Sequence, residues 1–438
     1  MKILLVGNGA REHAIAEALK KNRQVQLFSY IKSKNPGIIG LSEGYSAGDY
    51  NDLEKIRQYA QKIKPDFAFI GPEEPLSHGV ADLLKGIGIS AVGPTKSLAR
   101  LETSKSFTRN ILRKYRIEGN PRFEIFNKDN IGNALNFIDG IGQCVIKPDG
   151  LTGGKGVKVQ DDHFKTKKEA LDYCSEVLQA HSAVIIEEKL EGEEFSLQCI
   201  TDGKTVIATP PVQDHKRAFA DDTGPNTGGM GSYSCENHLL PFLAKKDAED
   251  GLKITEKVAE ALYKETGEFY KGVMYAGLIV TKDGVKLIEY NARFGDPEAM
   301  NVLPLLETDF SDICNAIINQ KLHKIKIKFQ EKATVCKYLV PQGYPDNPAK
   351  NERIEIGKTP DGAKIYYAAV EQKDDVVYTT SSRAIGCLGI DDDLDKAEKI
   401  AEEAAKSIKG KLFHRKDIGT RKLVEKRIEH MKKILNSR

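Results

Sequence analysis

No stretch of this chain approaches the roughly 18 apolar residues that a membrane-spanning helix needs. The opening M-K-I-L-L-V-G-N-G holds an apolar run far too short for a secretory signal and reads as a strand entering a glycine turn. No membrane partner is expected. Charge of one sign is also scarce. The formal net charge is +3 over 438 residues, too little for a nucleic-acid binder that works through a basic surface. Seven cysteines are scattered with no C-x-x-C pair, the usage of a reducing compartment and not of a disulfide scaffold or zinc ribbon. The expectation is a soluble cytoplasmic protein. With 40% apolar and 29% charged residues it should be globular, with roughly two to four domains.

Two nucleotide signatures are missing. The loop D-G-L-T-G-G-K-G at 149–156 fails the G-x-x-x-x-G-K-[ST] spacing of a Walker A loop, and a strand follows it where a helix would be needed. G-N-G-A-R-E-H at 7–13 is not a dinucleotide fingerprint, because Glu12 stands where a third glycine belongs. The region Q-L-F-S-Y-I-K also lacks the acid that would hold a ribose. A nicotinamide-dependent oxidoreductase is disfavoured. Both segments keep a phosphate-binding reading. Glycines let backbone N–H groups form a concave nest, Lys155 adds charge, and Lys147 at the preceding strand end could reach the same phosphates. A bare glycine hairpin could equally be a tight turn; a lysine on each side favours a phosphate lid. The segment at 7–13, a strand running through glycines into a helix N-terminus, makes an anion site or simply a βα turn.

What is present centres on L-I-E-Y-N-A-R-F-G-D-P-E at 287–298. Glu289, Asn291 and Arg293 fall at alternate positions, so a strand would aim them to one face. Two oxygen donors suit a hard divalent cation, and the arginine fork suits a carboxylate or phosphate. Leu287 is expected on that same face, with Tyr290 and Ala292 opposite. G-P-E-E-P-L-S-H-G at 71–79 reads as a loop whose carboxylates could hold sugar hydroxyls. Residues 213–231 read as a long polar loop. There Asp214, Lys216 and Arg217 supply both signs of charge, and Gly228, Gly229 and Gly231 allow close backbone approach. Residues 185–194 end a strand with acids; backbone groups could meet an adenine edge and Glu194 a ribose, although a solvated strand end would look alike.

Strands expected at 3–6, 25–30, 67–70 and 89–92 alternate with helices at 11–21, 51–63 and 79–85, which points to a parallel sheet with a crevice at its carboxyl ends. A helical connector is expected at 98–115. A small mobile α+β lobe follows, with strands at 123–126, 144–147, 157–159 and 184–188 around helices at 130–138 and 166–180. Longer strands return at 195–201, 205–210, 273–281 and 285–291, with a helix at 247–266. The final section has strands at 333–340, 364–370 and 384–390 and helices at 394–407 and 421–435. The D-D-D cluster at 391–393 is expected to charge the N-terminus of the helix that follows.

In order, the chain carries G-N-G-A-R-E-H-A, G-P-E-E-P-L-S-H-G, L-A-R-L-E-T-S-K, V-I-K-P-D-G-L-T-G-G-K-G-V, L-E-G-E-E-F-S, Q-D-H-K-R, D-T-G-P-N-T-G-G-M-G, Y-A-G-L, E-Y-N-A-R-F-G-D-P-E and F-H-R-K-D-I-G. Over essentially its full length it resembles the glycinamide ribonucleotide synthetase (phosphoribosylamine–glycine ligase) family of the ATP-grasp superfamily. R-F-G-D-P-E-A-M is particular to that ligase family. The resemblance implies an α/β multidomain ATP-grasp fold. An N-terminal parallel-sheet (pre-ATP-grasp) domain would span 1–103. The first ATP-grasp lobe would span 104–190, with its small mobile α+β lid at about 121–190, and the second lobe, with metal and glycine sites, 191–330. A C-terminal α+β domain would span 331–438.

The implied activity is ATP-dependent joining of glycine to 5-phosphoribosylamine through a glycyl phosphate. The alternative is another ATP-grasp carboxylate–amine ligase or carboxylase of purine synthesis. The family implies that Glu289 and Asn291 bind Mg2+ or Mn2+. Lys105, Lys147, Gly153, Gly154, Lys155 and Gly156 would meet the ATP phosphates. Glu187, Lys189 and Leu190 would line the adenine pocket, and Glu194 would hold the ribose. Gly9, Ala10, Arg11 and Glu12 would hold the substrate's 5′-phosphate, and Glu73 its ribose. Asp214, Lys216, Gly228, Gly229 and Arg293 would surround glycine and the transferring phosphate, with Arg293, Asp214 and Lys147 catalytic. A monomer is expected. The sequence departs from the family where Ala10 replaces a glycine and where Ser381-Ser382 precede Arg383 in place of two glycines. The strand at 273–281 has no carboxylate, which leaves two evident protein ligands for the metal.

Overall fold

In the computed structural model, residues 1–151 and 156–436 are described. The apolar runs I-L-L-V and F-A-F-I form the centre of a five-stranded, all-parallel sheet. Its order is Gly44–Ala47, Gln26–Ile31, Lys2–Val6, Phe67–Ile70, Ser90–Val92. Ile3 to Val6 are fully buried because helices cover both faces, which is why these strands read as unbroken apolar runs. Three elements depart from expectation. Gly44–Ala47 is a strand and Pro36–Leu41 a helix. The edge strand G-Y-S-A alternates only between half-buried and exposed residues, so it leaves little pattern to read. Glu73–His78 is a helix and not a loop: prolines mask it, yet Leu76 anchors it with no exposure.

The expected connector is two helices, Lys96–Thr103 and Lys105–Lys114. Ser104 breaks them with an extended backbone, and its hydroxyl accepts from Phe107 N–H at 3.1 Å. Lys105 thereby starts a new helix.

The small lobe is a four-stranded antiparallel sheet in the order Phe123–Phe126, Val184–Glu188, Cys144–Pro148, Lys158–Val159. Helices Ala134–Ile141 and Lys167–Ala180 cover it through a separate core that includes Phe126, Ile138, Ile146 and Leu178. A second antiparallel sheet orders Val206–Ala208, Glu193–Thr201, Gly272–Thr281 and Gly284–Asn291 beneath helix Lys245–Thr266.

The stretch 213–231, read as a loop, is mostly paired. Gln213–Asp214 and Gly231–Ser234 pair and extend a sheet built on Ala333–Pro341, Ile385–Asp391 and Ala363–Tyr367. Arg217–Phe219 pairs with Thr223–Asn226 as a hairpin. Backbone pairing over short polar strands leaves no apolar alternation for a sequence reading to detect. The expected strand at 364–370 is likewise two, Ala363–Tyr367 and Val370–Lys373, in different sheets. Helix Leu394–Ser407 is capped by Asp393, which accepts from Lys396 N–H at 2.8 Å, as the D-D-D cluster implies. The terminal helix Arg421–Asn436 turns back onto Glu193–Thr201 and Gly272–Thr281. No helix among the described residues is long and apolar enough to cross a membrane.

Candidate active site

The domains and lobes meet around one cavity of about 1180 Å³. Its floor is the strand Gly284–Asn291. A β-bulge interrupts its pairing with Gly272–Thr281: Leu278 faces Leu287, while Gly277 faces Glu289. The extra residue, Ile288, shifts the side-chain alternation. Leu287 therefore joins Tyr290 and Ala292 in the apolar core, and Ile288, Glu289 and Asn291 line the cavity. This corrects the expectation that Leu287 shares a face with Glu289. The bulge also frees carbonyls. Ile288 O accepts from Arg109 Nη2 at 2.8 Å and Lys147 Nζ at 3.2 Å.

Lys147 and Arg109 converge on Glu187. Lys147 Nζ lies 2.7 Å from Glu187 Oε2, and the Arg109 fork reaches both carboxylate oxygens at 2.6 and 2.9 Å. Burial would raise the Glu187 carboxyl, but the two cations hold it at about 2, so it is ionised at neutral pH. Glu187 thus anchors Lys147. Lys105 Nζ donates to Gly150 O at 2.9 Å, and Gly156 O accepts from Tyr173 OH at 2.8 Å. Gly153, Gly154 and Lys155 lie outside the described residues. Lys189 N–H donates to Gln143 O at 2.9 Å and its Nζ to Gln160 O at 3.0 Å, beside half-buried Leu190. Glu194 is exposed at the cavity rim, 3.6 Å from Lys216 Nζ.

Glu289 also faces Lys216, at 3.9 Å. Burial pushes its carboxyl up, yet Lys216, Lys105, Lys147 and Arg293 hold it below the ordinary value, so it remains a charged oxygen donor. Asn291 Oδ1 accepts from Arg293 Nη2 at 3.1 Å and keeps a second lone pair. These two donors, two residues apart on one face, fit a divalent cation.

Arg293 is held from three sides. Its guanidinium lies 3.2 Å from Glu73, 2.9 Å from Glu102 and 3.1 Å from Phe294 O. Glu73 also faces Arg11 at 3.7 Å. Burial would raise Glu73, but Arg293 and Arg11 hold it at about 2. Arg11 further donates to Phe294 O at 3.2 Å and pairs with Glu12. Glu12 is itself buried and accepts from Gly9 N–H at 2.6 Å. It fills the space left by missing side chains: a Cβ at Gly7 would lie 2.2 Å from Glu12 Cγ, and one at Gly71 2.4 Å from Glu12 Oε1. Ala10, fully buried, is the first residue of the following helix.

On the far wall, the Gly228–Gly229 turn approaches Asp214. Gly229 has φ +107°, and a Cβ there would stand 2.6 Å from Asp214 Oδ1. Arg383 fixes the turn: its Nη1 donates to Gly228 O at 2.6 Å and Gly229 O at 3.1 Å, and its Nη2 pairs with Asp296 at 3.0 Å. The Ser381-Ser382 departure therefore leaves the arginine's role intact. Asp214 Oδ1 accepts from His215 N–H at 2.7 Å.

Sequence reasoning missed Arg109, Glu102, Arg383, Tyr275 and Glu298. Each meets the cavity through partners far away in sequence, which alternation within one segment cannot reveal. Glu102, Tyr275 and Glu298 did lie within the motifs L-A-R-L-E-T-S-K, Y-A-G-L and R-F-G-D-P-E, and Arg383 beside the Ser381-Ser382 departure, whereas Arg109 carried no such signal.

The phosphoribosylglycinamide synthetase N domain matches residues 1–102, its ATP-grasp (A) domain residues 103–299 and its C domain residues 334–421. The chain is 49% identical over 445 residues to the phosphoribosylamine–glycine ligase of Methanocaldococcus jannaschii, covering 99% of this chain and 100% of that one. It is 49% identical over 435 residues to the enzyme of that name from Methanosarcina acetivorans, covering 99% and 98%. The crystal structure of a Thermotoga maritima phosphoribosylamine–glycine ligase superposes with a TM-score of 0.79 at 27% identity, covering 95% of this chain and 100% of that one. A biotin carboxylase domain of Hydrogenobacter thermophilus 2-oxoglutarate carboxylase shares the fold, with a TM-score of 0.72 at 15% identity over 98% and 93% of the two chains.

Proposed function

This chain belongs to the phosphoribosylglycinamide synthetase family, and from that premise we infer that the cavity is where it joins glycine to phosphoribosylamine, driven by ATP cleavage, in purine biosynthesis. The observation that carries the assignment of this cavity is the convergence of Lys147, Glu289, Asn291, Arg293, Asp214 and Gly228 on one cleft.

The reaction opens with two anions that repel. A glycine carboxylate oxygen forms a bond to the γ-phosphorus while the bond to the β,γ-bridging oxygen breaks and ADP leaves. The amine nitrogen of phosphoribosylamine then attacks the glycyl carbonyl carbon. The carbon–oxygen bond to phosphate breaks, and the nitrogen gives up a proton to solvent. Phosphoryl transfer of this kind rests on positioning and charge neutralisation. Lys147 and Lys105 would hold the ATP phosphates, and Gly153, Gly154, Lys155 and Gly156 would meet them as the family resemblance implies. Arg293 would neutralise the charge shared by glycine and the transferring phosphate. Glu289 and Asn291 would hold Mg2+ or Mn2+, which draws phosphate oxygens together when bound. Lys189, Leu190 and the backbone beside Glu187 would meet adenine, and Glu194 the ribose.

The corner formed by Gly9, Ala10, Arg11 and Glu12 would take the 5′-phosphate of phosphoribosylamine. Because the Gly9 N–H is already bonded to Glu12, this reading leans on the Arg11 guanidinium and the helix N-terminus. Glu73 would hold that substrate's ribose. Asp214, Lys216 and the Gly228–Gly229 turn would surround glycine. A glycyl phosphate would hydrolyse in water, so the small lobe must exclude solvent during the reaction.

We take the chain to act as a cytoplasmic monomer without nucleic-acid or membrane partners. Its near-neutral charge balance supports the absence of a nucleic-acid partner, and seven buried free thiols support a reducing compartment. The test is ADP release with ATP and magnesium, with and without glycine and freshly made phosphoribosylamine. Stimulation by both substrates is expected. Stimulation by bicarbonate in place of glycine would favour a carboxylase and overturn it.

A further inference from the structure

The terminal helix Arg421–Asn436 begins at the residue where the match to the C domain ends, yet it folds back onto the molecule. Leu423, Val424, Met431 and Ile434 are buried and form an apolar stripe at helical spacing. The helix packs on Glu193–Thr201 and Gly272–Thr281. That packing brings Arg427 and His430, one turn apart, onto the wall of the large cavity.

Both side chains meet Glu193. His430 Nδ1 lies 2.6 Å from Glu193 Oε1, and Arg427 Nε lies 3.5 Å from Glu193 Oε2. The rest of the Arg427 fork pairs with Asp222. Glu193 is only 4% exposed and also accepts from Gln213 Nε2 at 3.3 Å. The carboxylate is held on both oxygens, and it in turn fixes the imidazole of His430.

Glu193 opens the strand that carries Glu194, assigned to the ribose, and it closely follows Lys189 and Leu190, assigned to adenine. The helix therefore stands at the nucleoside end of the cavity. The His430 side chain keeps 42% of its surface exposed while lining that cavity. With Nδ1 donating to the Glu193 carboxylate, an uncharged imidazole keeps Nε2 as an acceptor. Phosphate oxygens are acceptors themselves and do not suit it. A ribose hydroxyl or the adenine amino group supplies the donor that it lacks. Resting on the nucleotide placement above, we propose that the C-terminal helix completes the nucleoside end of the ATP site. His430 Nε2 accepts from the nucleoside, and Glu193, braced by Arg427, holds the ring in place.

Titration calorimetry of wild type and His430→Asn with ADP and with tripolyphosphate, each with magnesium, reads this contact. The asparagine keeps a donor near the place of Nδ1 and removes Nε2. It is expected to weaken ADP by about 3- to 10-fold, the loss of one hydrogen bond. Tripolyphosphate, which has no nucleoside, should bind the two proteins within about twofold of each other. In steady state KM for ATP should rise with the ADP constant, while KM for glycine and for phosphoribosylamine stays within about twofold of wild type. Equal ADP affinity in the two proteins, a parallel loss for ADP and tripolyphosphate, or a rise in all three KM values would overturn the contact. Glu194→Gln separates this from the placement on which it rests. If that change leaves ADP affinity untouched, the ribose is not at Glu194 and the nucleotide placement falls first.

Discussion

Arg293 Nε lies 3.2 Å from Glu73 Oε2, and Glu73 in turn faces Arg11. One carboxylate of the parallel-sheet domain therefore stands between the corner assigned to the substrate phosphate and the centre assigned to phosphoryl transfer. A ribose that engaged Glu73 would loosen its hold on Arg293. Under those assignments, binding of the amine acceptor and release of the arginine for glycine activation would be coupled through this one side chain.

Arg293→Ala is expected to lower glycine-dependent ADP release by about 10²- to 10³-fold, as loss of one preorganised charge does. ATP affinity should be largely retained, because Lys147, Lys105 and Glu289 are not altered. Isothermal titration with a non-hydrolysable ATP analogue, beside the ADP assay, checks both halves. Arg293→Lys should recover little, since a point charge cannot serve Glu73, Glu102 and Asn291 together.

Arg109→Met should destabilise the fold by about 3–5 kcal/mol, the cost of breaking a buried pair from one side. Arg109 and Glu187 are 3% and 4% exposed, and the fork also satisfies the Leu287 and Ile288 carbonyls at the bulge. Urea denaturation measures the change. A fall in ATP affinity is expected with it, because Glu187 would then be shared with Lys147 alone.

Gly229→Ala should raise KM for glycine and leave KM for ATP nearly unchanged. The new methyl would meet Asp214 Oδ1 at 2.6 Å and Pro297 Cδ at 2.8 Å, in a backbone region costing about 1–3 kcal/mol for a non-glycine residue. Initial-rate kinetics with each substrate varied in turn separates the two constants.

Glu102 gives a pH prediction. Burial lifts its carboxyl from 4.5 to about 7, against the opposing charge of Arg293. The unfolded chain releases this proton near the ordinary value, while the folded chain keeps it to about 7. Between those values the folded state binds more protons, so this contribution is complete at low pH and is lost as pH rises through the window. Glu102→Gln cannot titrate. Its unfolding midpoint relative to wild type should therefore climb from pH 4.5 to about 7. A constant difference across that range would show that Glu102 ionises normally.

Much of this was legible in the chain. The buried strands Phe67–Ile70 and Val184–Glu188 stand where apolar runs place them, as does helix Leu394–Ser407 with its aspartate cap. Glu289, Asn291 and Arg293 do converge at one cavity. What could not be read depends on distant contacts. The bulge at Ile288 arises from pairing with a strand whose register the segment does not encode, and it moves Leu287 off the polar face. Arg383 reaches the Gly228–Gly229 turn across 154 intervening sequence steps or more, and Arg109 finds Glu187 across 78. Glu12 was legible as a broken fingerprint but not as the plug that occupies the space beside Gly7 and Gly71.

The central claim is that a divalent cation held by Glu289 and Asn291 lets ATP and glycine share one cavity. Its most direct test is a magnesium titration of glycine-dependent ADP release in wild type and Glu289→Gln. The account predicts that the variant needs far more magnesium for half-maximal rate and loses about 10²-fold or more in turnover at saturation. Superimposable magnesium curves and equal turnover in the two proteins would contradict it.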